Sequence, residues 1–275
     1  MTDKNRGKSK PGTGEIQTKP FLTGSVTDER SIKGALAFFG TLIMVFFIAF
    51  IACASATFDS LILRLLLNAA VIILAMVIFF NNGSKRGADD VARGEILWQK
   101  QQKGQDFSQS ERKICFHPMK GYLIGLFGTI PFFILAVYLA LNTSIGMTGS
   151  GTLPSWMQAY TSRSDIGDAL INYTQPEGMA LIDYIRAIIR ITIIPFVNIV
   201  SSSNKAGMLT IERLSPLILL LPAAAYGTGY LTGKSIRTQI HTAISENDKK
   251  RKRREKKKRN ARSAPTRKHE PERLN

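Results

Sequence analysis

Cysteine, histidine and acid are all scarce in this chain. Of 275 residues, two are Cys, three are His and 20 are Asp or Glu, against 37 Lys or Arg. Two cysteines cannot build a disulfide framework. Cys53 sits in an apolar run and Cys115 in a polar one, so they lie at different depths and read as free thiols. Cys115-Phe-His117-Pro offers a pair of metal ligands, but the other histidines are His241 and His269, and tetrahedral zinc needs three or four ligands. No metal site and no cofactor is expected. The chain also lacks a Ser, His and acid grouping, paired carboxylates in an apolar setting and a His-Glu-x-x-His motif, which argues against an enzyme. Internal repeats and the paired broken helices of carriers are missing too.

What the chain does have is long apolar runs. Gly34 to Thr57, Leu61 to Phe80, Gly121 to Leu141 and Ser215 to Thr232 each match the roughly 17 to 25 residues that cross a bilayer as a helix. The fold class that follows is an all-α integral membrane protein with about four transmembrane helices. The mean hydropathy of zero hides this, because strongly apolar spans are averaged with strongly polar ends. Residues 1–33, with Pro11, Gly12, Gly14, Pro20 and scattered Lys, read as a retained, disordered arm and not as a signal peptide.

Basic residues set the orientation, because their excess marks the cytoplasmic side. Seven lie in the arm, eight in the loop 81–120 and sixteen after Gly233, so 31 of the 37 would share one face. Both termini are expected in the cytoplasm, in a multi-pass protein of the plasma membrane. Residues 142–214 form the outer segment. A fifth apolar stretch, Met179 to Val200, would break the charge rule if it crossed. Asp183, Arg186 and Arg190 fall in one sector of its helix, and Arg190 at mid-span would cost about 2.5 to 3.5 kcal/mol on insertion scales. Residues 175–200 are therefore read as an outer amphipathic helix, with a re-entrant or crossing helix as the alternative. Thr174 to Glu177 supply its capping signal, and Pro195 ends or kinks it. If those three charges instead line a polar cavity within the bundle, they favour an anionic solute, and the chain becomes a transporter or channel component.

The spans carry small residues at helical spacing: Gly121 and Gly125 in the third, then Ala225, Gly229 and, at the end of the segment 215–233, Gly233. Small residues on one ridge let backbones approach in lipid, so spans three and four are expected to pack together or to form a dimer seam. Spans one and two, 34–80 with a three-residue link, are expected to form a tight antiparallel hairpin capped by Asp59 or Ser60. Arg64, four residues before Asn68 on the same face, is expected to snorkel to the outer surface near Asp59, the alternative being a buried polar pair with Asn68 that contacts the outer segment or Asp183. In the loop, Ala88 to Gln102 has a helical pattern with Val91, Leu97 and Trp98 on its apolar side.

The tail 234–275 is the sharpest local feature. Its last 27 residues hold fourteen Lys or Arg against three Glu. Ten of them are packed into eleven positions: Lys249, Lys250, Arg251, Lys252, Arg253, Arg254, Lys256, Lys257, Lys258 and Arg259. Asn247 and Asp248 should break the last helix ahead of this block, which is read as disordered and seeking anions. Acidic lipid head groups and ribosomal or other RNA are the candidate partners, alongside a membrane-protein partner or a second copy of the chain. A lysine-rich tail behind the last span resembles the ribosome-binding tails of some YidC-type membrane insertases. That likeness covers about the final 30 residues, and the spans depart from the family's pattern. The sequence alone thus points to a non-enzymatic membrane scaffold or assembly factor.

Overall fold

A computed structural model describes residues 19–55, 60–143, 155–163, 165, 166, 170, 181–200 and 204–263. The described residues form helices: α1 (Glu29–Ser55), α2 (Leu61–Gln102), α3 (Gln109–Lys113), α4 (Lys120–Asn142), α5 (Ser155–Gln158), α6 (Leu181–Thr192), α7 (Ile194–Val200) and α8 (Lys205–Ser263). Four of these, α1, α2, α4 and α8, are long and apolar enough to cross a membrane, so the chain is a multi-pass membrane protein. Their outward faces are apolar, as a lipid solvent requires: Leu36, Phe47, Ile62, Ile73 and Leu217 are all more than 60 % exposed.

The helices do not pair in the order that short links suggest. α8 is the central helix, with α2 along one side and α4 along the other, and α1 lies against α4. The tight hairpin of α1 and α2 is not formed. Instead α7 inserts its Pro195 and Phe196 between them at the end away from the termini, beside Ala49, Val71 and Leu219. Ser60 occupies the N-cap position of α2 without a side-chain capping bond, and Asp59 lies outside the described residues. Of the polar groups on α2, Asn68 is buried and donates to the Arg64 carbonyl at 2.7 Å while accepting from the Cys53 thiol at 3.3 Å. Arg64 is partly buried, with a buried Nε that lacks a hydrogen-bond partner.

Three boundaries differ from the sequence expectation, each for a local reason. Residues 19–28 are not a loose arm but an extended strap, and α1 already starts at Glu29, where Ser31 N donates to Asp28 Oδ1 at 2.6 Å. The strap is held by Leu22 N to Gly94 O at 3.1 Å and Gly24 N to Phe116 O at 3.0 Å, with the Phe21 ring edge-on to Phe116. Helix α2 continues 22 residues past Phe80, because nothing from Asn81 to Gln102 is Pro and its glycines face another backbone. Helix α8 runs through Asn247 and Asp248 to Ser263. Those two cost only a few tenths of a kcal/mol each as helix formers among Lys, Arg and Glu, too little to break the helix.

The fifth apolar stretch is split. Within the described residues a turn at Ile193 divides α6 from α7, and Ile185, Ile189, Ile193 and Pro195 are turned into the bundle. Residues 175–180 and the capping signal Thr174 to Glu177 lie outside the described residues.

Candidate functional site

Glycine is what lets α8 sit between two neighbours. A Cβ on Gly83 or Gly87 of α2 would overlap the carbonyls of Tyr226 and Tyr230, and one on Gly229 or Gly233 would overlap the backbone of Phe80 or Gly87. The small residues of α8 therefore meet a matching pair on α2, four residues apart on each helix. Ser84 closes the seam by donating to Gly229 O at 3.1 Å. On the other side of α8, Gly125 faces Ala223 and Gly121 faces the Tyr230 ring, while Ala225 packs at the edge of the core around Phe38, Leu42 and Phe79. All five residues singled out by spacing are used inside one chain. Spans three and four do touch, but the seam with α2 lies in a part of α2 beyond the apolar run.

At the end away from the termini, the charged sector of α6 closes on an acid that the sequence reading missed. Glu212 of α8 is only 3 % exposed; its Oε1 accepts from Arg190 Nε at 2.8 Å and lies 3.3 Å from Arg186 Nε. Its other oxygen accepts from Thr143 at the C-terminal end of α4. Arg186 also reaches Asp183 at 3.2 Å. The guanidiniums are thus turned onto a buried carboxylate that ties α4, α6 and α8 together. Two arginines on two acids leave little net charge for a passing anion. A lone Glu ahead of an apolar run gave no periodic signal, but its distance from any other acid in that segment could have drawn attention.

At the basic end, the sequence treated Lys120 as one more orientation charge. It is completely buried. Its Nζ donates to Asp28 Oδ2 at 2.9 Å and to the carbonyls of Ile114 at 3.0 Å and Lys113 and Cys115 at 3.4 Å, with Asp90 Oδ2 at 3.7 Å. Asp90 also accepts the Tyr230 hydroxyl at 2.7 Å. Burial pushes the Asp28 carboxyl up, but the hydrogen bonds from Ser31 and Lys120 and the Lys120 charge outweigh it and hold its pKa below the ordinary 3.8. This knot joins the strap, α2, the 103–119 connection, α4 and α8. One and a half turns further along α2, Glu95 accepts from Arg237 at 3.0 Å and contacts His241 Nε2 at 2.9 Å, so α2 and α8 remain paired well past their apolar stretches.

Cys115 is buried with its thiol pKa raised by desolvation, which keeps it protonated and unreactive near neutral pH. His117 Nδ1 accepts from Met119 N at 3.3 Å. Among the described residues no three His, Cys, Asp or Glu side chains gather as metal ligands.

The basic block lies on the free end of α8. Lys249 to Lys256 and Lys258 are exposed, and Arg251 pairs with Glu255 one turn on, at 3.1 Å. Ten cations in eleven positions occupy every sector of a 3.6-residue helix, leaving no apolar face. No family model, curated protein or solved structure matches this chain.

Proposed function

We propose that the protein is a non-enzymatic membrane anchor, with both termini in the cytoplasm of a cell whose plasma membrane it spans four times, that presents a rigid polybasic helix to RNA, as on a ribosome, and so acts as a scaffold or assembly factor. The observation that carries this reading is the unbroken helix from span to block. The distribution of Lys and Arg supports a cytoplasmic position for the basic end. At 1.5 Å per residue, the block begins about 22 Å and ends about 38 Å beyond Lys234, the first charge after the span. The surface potential of acidic lipids fades within a Debye length of about 8 Å at physiological salt. A disordered tail could fold back onto its own membrane, but a helix braced by α2 as far as His241 holds its cations away from it. With no apolar face the block also lacks what an interfacial helix buries in lipid.

The alternative of an arginine-lined solute pathway has less support, since Arg186 and Arg190 are engaged by Glu212 and Asp183. The test is the salt dependence of binding between the full chain in nanodiscs of zwitterionic lipid and ribosomes or single-stranded RNA. If about half of the ten cations contact phosphates at once, the logarithm of the association constant should fall with the logarithm of salt with a slope near −3.5, or roughly a hundredfold between 50 and 200 mM. Replacing Lys249, Lys250, Arg251, Lys252, Arg253 and Arg254 with Gln should remove most of that slope. Binding that is unchanged by those substitutions, or seen only with acidic vesicles, would refute the proposal.

A further inference from the structure

Two hollows of opposite chemistry at the basic end are lined by successive parts of the strap and the start of α1. The first is a groove of about 730 Å³ between α1 and α4, lined by Ile32, Leu36, Phe39, Phe127 and Pro131, with Thr27, Asp28 and Ser31 at its end. It opens on the lipid-facing side, where Ile32 and Leu36 are 70 % and 72 % exposed. The second, of about 320 Å³, lies between the strap and α3 and is formed by Thr23, Gly24, Ser25, Gln109, Arg112 and Lys113. The strap connects them directly: Ser25 Oγ, in the polar hollow, donates to the carbonyl of Thr27, in the apolar one, at 2.7 Å.

Among the described residues, no ion pair opposes the charges in the polar hollow. Its cations are Arg112 and Lys113. The carboxylate that precedes them in sequence, Glu111, faces Lys100 at 3.8 Å. Asp28 at the end of the groove is neutralised by Lys120 at 2.9 Å and is turned inward, with its side chain 4 % exposed. The apolar groove begins beside the first turn of α1 and the polar hollow flanks it at the level where α4 leaves the connection, so their order along the strap is that of a lipid's tail and head at a bilayer surface.

We infer that these two hollows form one binding site for an anionic glycerophospholipid of the leaflet at the basic end, with an acyl chain in the groove and the phosphate between Arg112, Lys113 and the Thr23 hydroxyl. The groove is of a size that takes a ligand of several hundred Å³. Among the described residues neither cation has a carboxylate within ion-pair distance, which is the complementarity an anionic head group meets. This site is separate from the block on α8 and does not depend on what that block binds.

The experiment is native mass spectrometry of the full chain, delipidated in detergent and titrated with phosphatidylglycerol or phosphatidylcholine carrying the same acyl chains. One phosphatidylglycerol should be retained about tenfold or more tightly than phosphatidylcholine, as two surface cations imply. R112E/K113E should bring the two lipids to parity. Leu36→Trp, which fills the groove, should weaken both lipids, and lipid held only by the α8 block would not respond to it. K85E/K103E, an equal charge change outside the hollow, should leave the preference intact, and thermal unfolding of each variant checks its fold. Glycerol phosphate without acyl chains should not compete. Equal retention of the two lipids, a preference that survives R112E/K113E, a loss of the same size in K85E/K103E, or competition by glycerol phosphate would each overturn the site.

Discussion

Replacing Lys120 with Met should remove the pin that joins five segments at the basic end. The side chain is fully buried, and Asp28 and Asp90 beside it are 4 % and 1 % exposed. Met keeps the volume and deletes the charge, so two carboxylates lose their cation and three carbonyls lose a donor. Breaking a buried ion pair from one side costs about 3 to 5 kcal/mol. The lower end applies, because Asp28 keeps its bonds from Ser31 and Asp90 keeps the Tyr230 hydroxyl at 2.7 Å and Arg86 at 3.9 Å. For a chain of this size, about 3 kcal/mol corresponds to roughly 6 to 12 °C in Tm. The two buried free thiols supply the assay, since a fluorogenic maleimide reacts with Cys53 or Cys115 only when the fold opens. Cys115 belongs to the knot through its carbonyl, whereas Cys53 lies at the opposite end. In a Cys115→Ser background the dye therefore reports global unfolding and not a local loosening. Adding Asp28→Asn to Lys120→Met should recover part of the loss, because it removes one of the two stranded charges. A drop of less than about 2 °C, or a double variant whose losses simply add, would mean that the ammonium is not the partner that these carboxylates rely on.

The remaining expectations use the same thermal assay. Glu212→Ala leaves Arg186 and Arg190 without their shared acid and should cost about 3 kcal/mol, while an unchanged Tm would show that solvent or lipid phosphate already satisfies those guanidiniums. Gly229→Val should prevent α2 and α8 from meeting at Phe80 and lower Tm or expression sharply. Gly40→Val, where nothing lies within 4 Å of an added Cβ, should change Tm by no more than a degree or so, about the ±0.5 kcal/mol of a surface substitution. Because the Asp28 pKa is lowered in the folded state, its contribution is present above the ordinary 3.8 and disappears as pH falls through the still lower folded value. Asp28→Asn should accordingly flatten the decline of Tm between about pH 5 and pH 3, and a decline as steep as in the parent would place the acid sensitivity elsewhere.

The four spans were legible because lipid imposes a length and a composition on any crossing helix, and no local detail had to be resolved to see them. Partner choice was not legible. A three-residue link between the first two apolar runs implies neighbours, yet a short link only limits how far apart the helix ends can be, and α7 takes the space between them. The Gly229 and Gly233 ridge was visible, but its partner lay at Gly83 and Gly87, in a stretch assigned to a loop because it is polar. Reading the four-residue glycine spacing across that boundary would have extended α2 and revealed the seam. The two charge knots escaped for a related reason. Counting Lys and Arg for orientation treats Lys120 and Arg237 as interchangeable surface charges and gives acids no weight, so Asp28, Asp90, Glu95 and Glu212 were never asked what they pair with.

Those acids change what the basic end is for. An orientation signal needs only exposed cations near the membrane, and Lys33, Lys85 and Lys103 suffice for that. Here Lys120, Arg86 and Arg237 are instead spent on Asp28, Asp90 and Glu95, and the result is a braced pair of helices that leaves the bilayer together. Bracing would serve no purpose for a tail that collapses onto its own membrane, since a flexible chain reaches acidic lipid without it. It matters only if the position of the terminal cations matters. Cutting the brace without touching the block separates these cases: Glu95→Ala should unlock Arg237 and His241 and let the end of α8 swing. A ribosome or RNA engaged at a fixed distance should then bind more weakly at unchanged salt slope, because the same phosphates are contacted after a larger ordering cost. Affinity indifferent to Glu95→Ala would show that the cations act as an unstructured cloud and that the rigid reach inferred from α8 has no part in docking.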